Sequence, residues 1–371
     1  MVPNGWTTAK IKDIASINVG RDLRLDNYTE SITATHIYPV YSNTVENRGL
    51  YGFYDFPEYS GGSVTIVGRG IGLGTAFARH KDEKFGAIGR LLVLTPKGDS
   101  FDVGYLADYI NFLLRIHNED GGIPQLPGAS LGNYHVTLPP YLEQKKIAQI
   151  LSTWDKAITT TEKLLDQSQR QKKALMQQLL TGKKRFPEFN GEWITSKLKS
   201  LVAINKGEQL NRDGLINSDI YPVINGGISP SGYTDKPNTD ANTITISEGG
   251  NSCGYVAFQS SDFWCGGHCY ALKLPKLPLA FLYHLLKFNE RKIMRLRVGS
   301  GLPNIQKKDL ELLQLSYPKD LDEQLKIASL LSVSDKEIKS SEEKLYFLKV
   351  EKRALMQQLL TGRRRVKVNH Q

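Results

Sequence analysis

The sequence predicts an α+β protein: two mixed α/β heads alternate with two long helices that pair as an antiparallel coiled coil about a pseudo-two-fold axis. Three observations predict it. A block of 43 residues recurs at a constant offset of 180, each copy carries a heptad-like apolar stripe, and fainter echoes of one head run through the other. The segments that follow are a first head at 1–140, a helix at 141–185, a second head at 186–318, and a helix with a basic tail at 319–371.

The repeat is strongest in the helices. Glu143–Arg185 and Glu323–Arg365 are identical at 23 of 43 positions, and ALMQQLLTG stands intact at Ala174–Gly182 and Ala354–Gly362. Lys183, Lys184 and Arg185 follow one copy; Arg363, Arg364 and Arg365 follow the other. The stripe in the first copy is Ile147, Leu151, Trp154, Ile158, Thr161, Leu165, Ser168, Lys172, Leu175 and Leu179. In the second it is Ile327, Leu331, Ser334, Ile338, Ser341, Leu345, Leu348, Lys352, Leu355 and Leu359. Steps of four and three make a coiled-coil seam. Its polar members weaken each helix alone, so the two are expected to pair with each other. Gly182 and Gly362 read as left-handed helix caps, and Pro187 is a second stop. A helix over Glu143–Thr181 spans about 58 Å at about 1.5 Å per residue, against roughly 34–36 Å for one turn of B-DNA.

The heads echo each other more faintly. Trp6, Ile17, Asn18 and Gly20 match Trp193, Ile204, Asn205 and Gly207; IYPV recurs at Ile37–Val40 and Ile220–Val223. SVTI (Ser63–Ile66) resembles TITI (Thr243–Ile246), and GIPQL (Gly122–Leu126) resembles GLPNI (Gly301–Ile305). TTAKIKDIASI, SVTIVGRG, RLLVLTP and NTITISEGG read as strand-rich. Tyr105, Leu106, Tyr109, Ile110 and Leu113 share one helical face, as do Phe281, Leu282, Leu285 and Leu286.

Composition bounds the function. With 40% hydrophobic and 23% charged residues the chain is globular, and no apolar run reaches the roughly 20 residues of a bilayer span. No secretory signal is legible and the three cysteines suit a reducing compartment, so the expected location is the cytoplasm, with no membrane partner. The formal net charge of +10 points to a polyanion such as nucleic acid. That charge is uneven: residues 1–140 carry 12 basic and 14 acidic residues and 186–318 carry 14 and 12, whereas 141–185 carry 10 and 4 and 319–371 carry 12 and 8. The excess lies on the helices. The two basic clusters after ALMQQLLTG are candidate phosphate contacts or, equally, cations suited to a helix C-terminus.

No catalytic set is found. GxSxG, GxxxxGK[ST] and HExxH are absent, and so is the aromatic-flanked NPPY or DPPY motif of amino-methyltransferases. GRGIGLG (Gly68–Gly74) fails the dinucleotide spacing and reads as a loop whose backbone approaches a ligand. Its counterpart SEGGNSCG (Ser247–Gly254) keeps the loop but changes the tips: Arg69 aligns with Gly249, and Gly68 with Glu248. CGGHC (Cys265–Cys269), with Cys253 upstream, has metal-ligand residue types in an unusual zinc spacing, so buried thiols and no metal are expected. From the residues alone three readings stay open: a DNA reader, a helical scaffold that touches no nucleic acid, and an enzyme with an unrecognised site.

Each long helix is introduced by a Pro-rich strand end and EQxKIAxxLS: LPPYLEQKKIAQILS (Leu138–Ser152) and YPKDLDEQLKIASLLS (Tyr317–Ser332). With two diverged heads and two near-identical helices, the whole chain resembles the specificity subunit of a type I restriction–modification system. The resemblance implies a non-catalytic subunit whose heads are target-recognition domains, each reading half of a split double-stranded DNA site. It implies helices that set the gap and bind two modification (methyltransferase) subunits, which carry S-adenosylmethionine and methylate adenine. Restriction subunits, using ATP and Mg, would join that core. No cofactor is expected on this chain. The DNA-facing candidates are Arg21, Asn43, Arg69 and Arg90 in the first head, and Asn225, Glu248, Asn251, Arg297 and Gln306 in the second.

Overall fold

A computed structural model describes residues 2–116, 123–216, 220–299, 301 and 303–368. Gly122 and Leu302, within the matched GIPQL and GLPNI segments, lie outside them. Two compact units form: Met1–Glu162 with Lys344–Gln371, and Lys163–Glu343. Each therefore holds one head, the part of one long helix nearest it, and the far part of the other helix.

In the first unit the head is built on a four-stranded antiparallel sheet in the order Ala15–Val19, Leu92–Pro96, Ser63–Ile66, Ala76–Arg79. A second sheet orders Tyr28–Thr29, Leu50–Tyr54, Tyr38–Tyr41 and Gly86–Ala87, the last pair parallel. The helix Val103–Leu113 packs on the first sheet, with Tyr105, Leu106 and Ile110 buried. Asp102 caps it, accepting from the Tyr105 N–H at 3.0 Å. The strand-rich segment TTAKIKDIASI forms two strands, Thr7–Lys10 and Ala15–Val19, separated by a single helical turn, Ile11–Ile14. Ile11 and Ile14 are both buried, and residues three apart reach one side of a helix but opposite faces of a strand. Thr7–Lys10 then pairs antiparallel with His135–Leu138, clasping the two ends of the head together.

The second unit repeats this plan. Its sheet runs Ala203–Lys206, Cys269–Lys273, Thr243–Ser247, Val256–Gln259, its packed helix is Leu279–Phe288, and its clasp pairs Trp193–Lys197 with Gln314–Pro318. The turn Leu198–Leu201 buries Leu198 and Leu201 as the first head buries Ile11 and Ile14.

Both long helices have 39 residues, Tyr141–Leu179 and Leu321–Leu359. Every member of both stripes is buried or half-buried, and Gly182 and Gly362 take φ of +70° and +68° as C-caps. Within the first unit, Lys352 pairs with Asp155 at 2.6 Å and Lys349 with Glu162 at 2.8 Å. Partner numbers rise on one helix as they fall on the other, so the pairing is antiparallel. In the second unit Lys172 meets Asp335 in the matching place. The seam lysines, expected to weaken the helices, are thus satisfied across the seam, and a polar group at a seam position favours one register over its neighbours.

Candidate nucleic-acid interface

The sheet register explains why distant loops meet. In the first head Val19 and Ile66 both pair with Leu92, so the ends of two strands and the start of a third lie at one edge. The segments leaving that edge are Gly20–Arg21, the glycine-rich loop after Ile66, and Ile88–Arg90. Backbone bonds knit them: the Arg21 N–H donates to Ala87 O at 3.1 Å, Gly89 N–H to Arg21 O at 2.9 Å, and Arg90 N–H to Gly20 O at 3.2 Å. Asn43 staples the cluster, its Oδ1 accepting from the Gly68 N–H at 2.9 Å while its Nδ2 donates to Gly89 O. Residues 124–126 close the far side, with Gly70 N–H donating to Pro124 O at 2.8 Å and Leu126 N–H to Gly68 O at 2.9 Å. The close approach of Gly20 to this frame requires glycine: a Cβ there would stand 2.9 Å from the Ala87 carbonyl.

All four first-head candidates therefore converge. Arg21, Arg69 and Arg90 are exposed, whereas Asn43 is half-buried and spent on the backbone. Arg90 holds φ of +67°, a region costly to non-glycine residues and concentrated at functional sites.

The second head gathers the same loops. Ile246 pairs with Tyr270 and Lys206 with Tyr270; Gly250 N–H donates to Pro303 O at 3.0 Å and Ile305 N–H to Glu248 O at 2.8 Å. Val298 and Asn304 exchange backbone bonds at 2.8 and 3.0 Å, which brings Arg297 alongside. Asn225 Oδ1 accepts from the His268 N–H at 2.9 Å. Asn251, Arg297 and Gln306 are exposed around this frame.

Glu248 needs revision. Its carboxylate was expected to face a base, yet the residue is 8% exposed. Lys206 Nζ donates to it at 2.6 Å, the Tyr270 hydroxyl at 3.2 Å, and His268 Nδ1 lies 3.5 Å away. It organises the cluster from beneath. Of the basic clusters, expected as phosphate contacts or as cations at a helix C-terminus, Arg185 and Arg365 are each committed to a carboxylate, Glu323 and Glu143. Lys183, Lys184, Arg363 and Arg364 remain exposed.

Sequence reasoning missed Lys206, Glu208 and His268, which the fold brings to the same edge. The only available signal was the match of Gly20 with Gly207, which puts Glu208 in register with Arg21. It also missed Arg79, 1% exposed, stacked 3.4 Å from the Tyr41 ring centroid and donating to Thr65 Oγ1 at 3.0 Å. This buried cation is internal to the first head; burial lowers its pKa. Cys253, Cys265 and Cys269 are buried free thiols. Among the described residues no group of three or more His, Cys, Asp or Glu is placed to hold a metal, and no helix is long and apolar enough to cross a membrane.

Two like heads, each bringing the same loops to the same sheet edge and each clasped to a long helix, define a two-headed binding protein. A family model described as the type I restriction modification DNA specificity domain matches residues 3–168 and again 190–349, and the chain belongs to that family. A putative type I specificity subunit of Mycoplasma genitalium is 36% identical over 154 residues, 41% of this chain and 40% of that protein. One from Mycoplasma pneumoniae is 39% identical over 149 residues, 39% of this chain and 40% of that protein. These two matches thus span well under half of each relative, whereas another from Mycoplasma pneumoniae, 26% identical over 335 residues, covers 87% and 88% of the two chains. The crystal structure of a type I restriction–modification S subunit from M. genitalium has the same fold, with a TM-score of 0.79 over 97% of both chains at 19% identity.

Proposed function

We propose that this chain is the DNA-specificity subunit of a type I restriction–modification complex, acting in the cytoplasm and itself non-catalytic. Each head reads one half of a bipartite duplex target. The paired helices set the gap and dock two modification subunits, on which S-adenosylmethionine is held for adenine methylation. Restriction subunits with ATP and Mg join that core. The observation that carries this reading is the repeated loop cluster: one backbone frame is kept in both heads while its exposed side chains differ, as two readers of different sequences require. Exposed Arg21, Arg69, Arg90, Asn251, Arg297 and Gln306 supply the polar contacts; Asn43, Asn225 and Glu248 hold the frame.

Duplex binding by the full chain tests it. Affinity should fall as salt rises, because neutralised phosphates release counterions. A scaffold that touches no nucleic acid shows no such binding. Exchanging residues 1–140 for the head of a relative should change one half of the selected target and leave the other; a change in both halves rejects independent heads.

A further inference from the structure

The two clusters share a frame but not a charge, and the frame itself gives the equivalences. Gly20 N–H donates to Leu91 O at 2.7 Å, and Gly207 N–H to Cys269 O at 2.9 Å. The next residues do likewise: Arg21 N–H to Ala87 O at 3.1 Å, and Glu208 N–H to Cys265 O at 2.8 Å. Arg21 and Glu208 thus leave the backbone at the same place. Leu92 and Tyr270 occupy one register position, opposite Ile66 and Ile246, so two residues earlier Arg90 corresponds to His268. Arg69 and Gly249 match, each bridged to the segment beyond, at Gln125 and Asn304. The first head presents three exposed arginines where the second presents a carboxylate, an imidazole and no side chain.

The rest of the second cluster removes other carboxylates from play. Glu248 is buried and paired with Lys206, whose counterpart in the first head is Val19. Glu208 is exposed, with its carbonyl oxygen accepting from Trp264 Nε1 at 2.9 Å, so the point from which its side chain starts is fixed. His268 is anchored through its N–H to Asn225, and its side chain is 65% exposed.

We infer that the pairs Arg21/Arg90 and Glu208/His268 determine base class in the two half-sites. Guanidinium groups match the paired acceptors O6 and N7 of guanine, so the first head selects guanine at the positions these arginines reach. A carboxylate accepts from an exocyclic amino group, so Glu208 selects cytosine or adenine. The inference rests on the reading of the heads as DNA readers and goes beyond it by naming the determinants and the base edges.

The test is selection of randomised duplexes by the full chain, followed by sequencing, for the wild type and three variants. Arg21→Ala with Arg90→Ala should remove guanine preference from one half-site and weaken binding of the wild-type target by tenfold or more. Glu208→Arg with His268→Arg should turn one or two positions of the other half-site towards guanine and leave the first half unchanged. Glu208→Gln keeps the shape and removes the charge; relaxed amino-group preference with unchanged melting temperature separates readout from misfolding. If the wild type selects a bipartite motif that these variants leave intact, the assignment of determinants is overturned while DNA reading stands. If the wild type selects no motif, the reading beneath it fails as well.

Discussion

The Arg365 guanidinium grips the Glu143 carboxylate with two parallel hydrogen bonds, Nε to Oε1 and Nη2 to Oε2, both at 2.7 Å. Glu143 is 3% exposed and lies in the first turn of the long helix Tyr141–Leu179. A third bond runs from Arg365 Nη1 to Asn4 O at 2.6 Å. Arg185 repeats the arrangement in the other unit, donating to Glu323 at 2.9 and 2.6 Å and to Gly191 O at 2.7 Å.

Arg365→Ala leaves a buried carboxylate without its cation. The expected loss is roughly 2 kcal/mol, below the 3–5 kcal/mol of a fully buried pair because the arginine side is half-exposed. Calorimetry or denaturant melts will show it. Arg365→Lys should recover only part, since an ammonium cannot reproduce the fork. The salt dependence of DNA binding should be unchanged in either variant; a shallower salt slope would put Arg365 on phosphate after all.

A second prediction concerns pH. Asp108 on the first head helix and His284 on the second lie against the seam pairs Lys352–Asp155 and Lys172–Asp335. Burial raises the Asp108 pKa from 3.8 to about 6. Folding there favours the protonated acid, so its contribution is full below pH 3.8 and is lost as pH rises through about 6. Asp108→Asn should therefore stabilise the first unit above pH 6, by about 2–3 kcal/mol. A variant no more stable than wild type at pH 8 rejects this.

Burial moves His284 the other way, from 6.5 down to about 4, with Lys172 adding to the shift and Asp335 opposing it. Folding favours the neutral ring. Its contribution is full above pH 6.5 and is lost as pH falls towards 4. His284→Gln should flatten that acid limb of the stability curve, measured by the urea midpoint from pH 7 to 4.

Gly207→Ala should damage the second head alone. The added Cβ would meet Gly266 O at 2.3 Å and Cys265 O at 2.4 Å, backbone atoms that cannot step aside. Selectivity at one half-site should fall at least tenfold with the other half intact. Unchanged selectivity would show that the frame tolerates displacement.

The helices were legible because their determinants are local and periodic. The stripe from Ile147 to Leu179 is a pattern of spacing, and spacing is all a seam needs. The heads were legible as strands and helices but not in register, since Leu92 meets both Val19 and Ile66 through contacts far apart in the chain. The loop cluster was half legible. Arg21, Arg69 and Arg90 were chosen by residue type and do come together; Glu248 was chosen by the same logic and points inward. What separated them was Lys206, 42 residues away in sequence. The two readings of Arg365, phosphate contact or helix-end cation, were left open because its partner stands 222 residues earlier.

Gly182 and Gly362 carry one more consequence. The place a Cβ would occupy on Gly362 lies 3.2 Å from the Trp6 ring, and on Gly182 it lies 3.1 Å from the Trp193 ring. The two tryptophans are matched residues covering matched helix ends. In one case the polypeptide runs on from glycine to tryptophan; in the other the two come from far-separated stretches of chain. The joint is the same either way, so it is made by side chains and caps, not by peptide bonds. A single proteolytic cut between residues 186 and 192 should leave head and helix seated together, with the order of threading incidental to the assembled form.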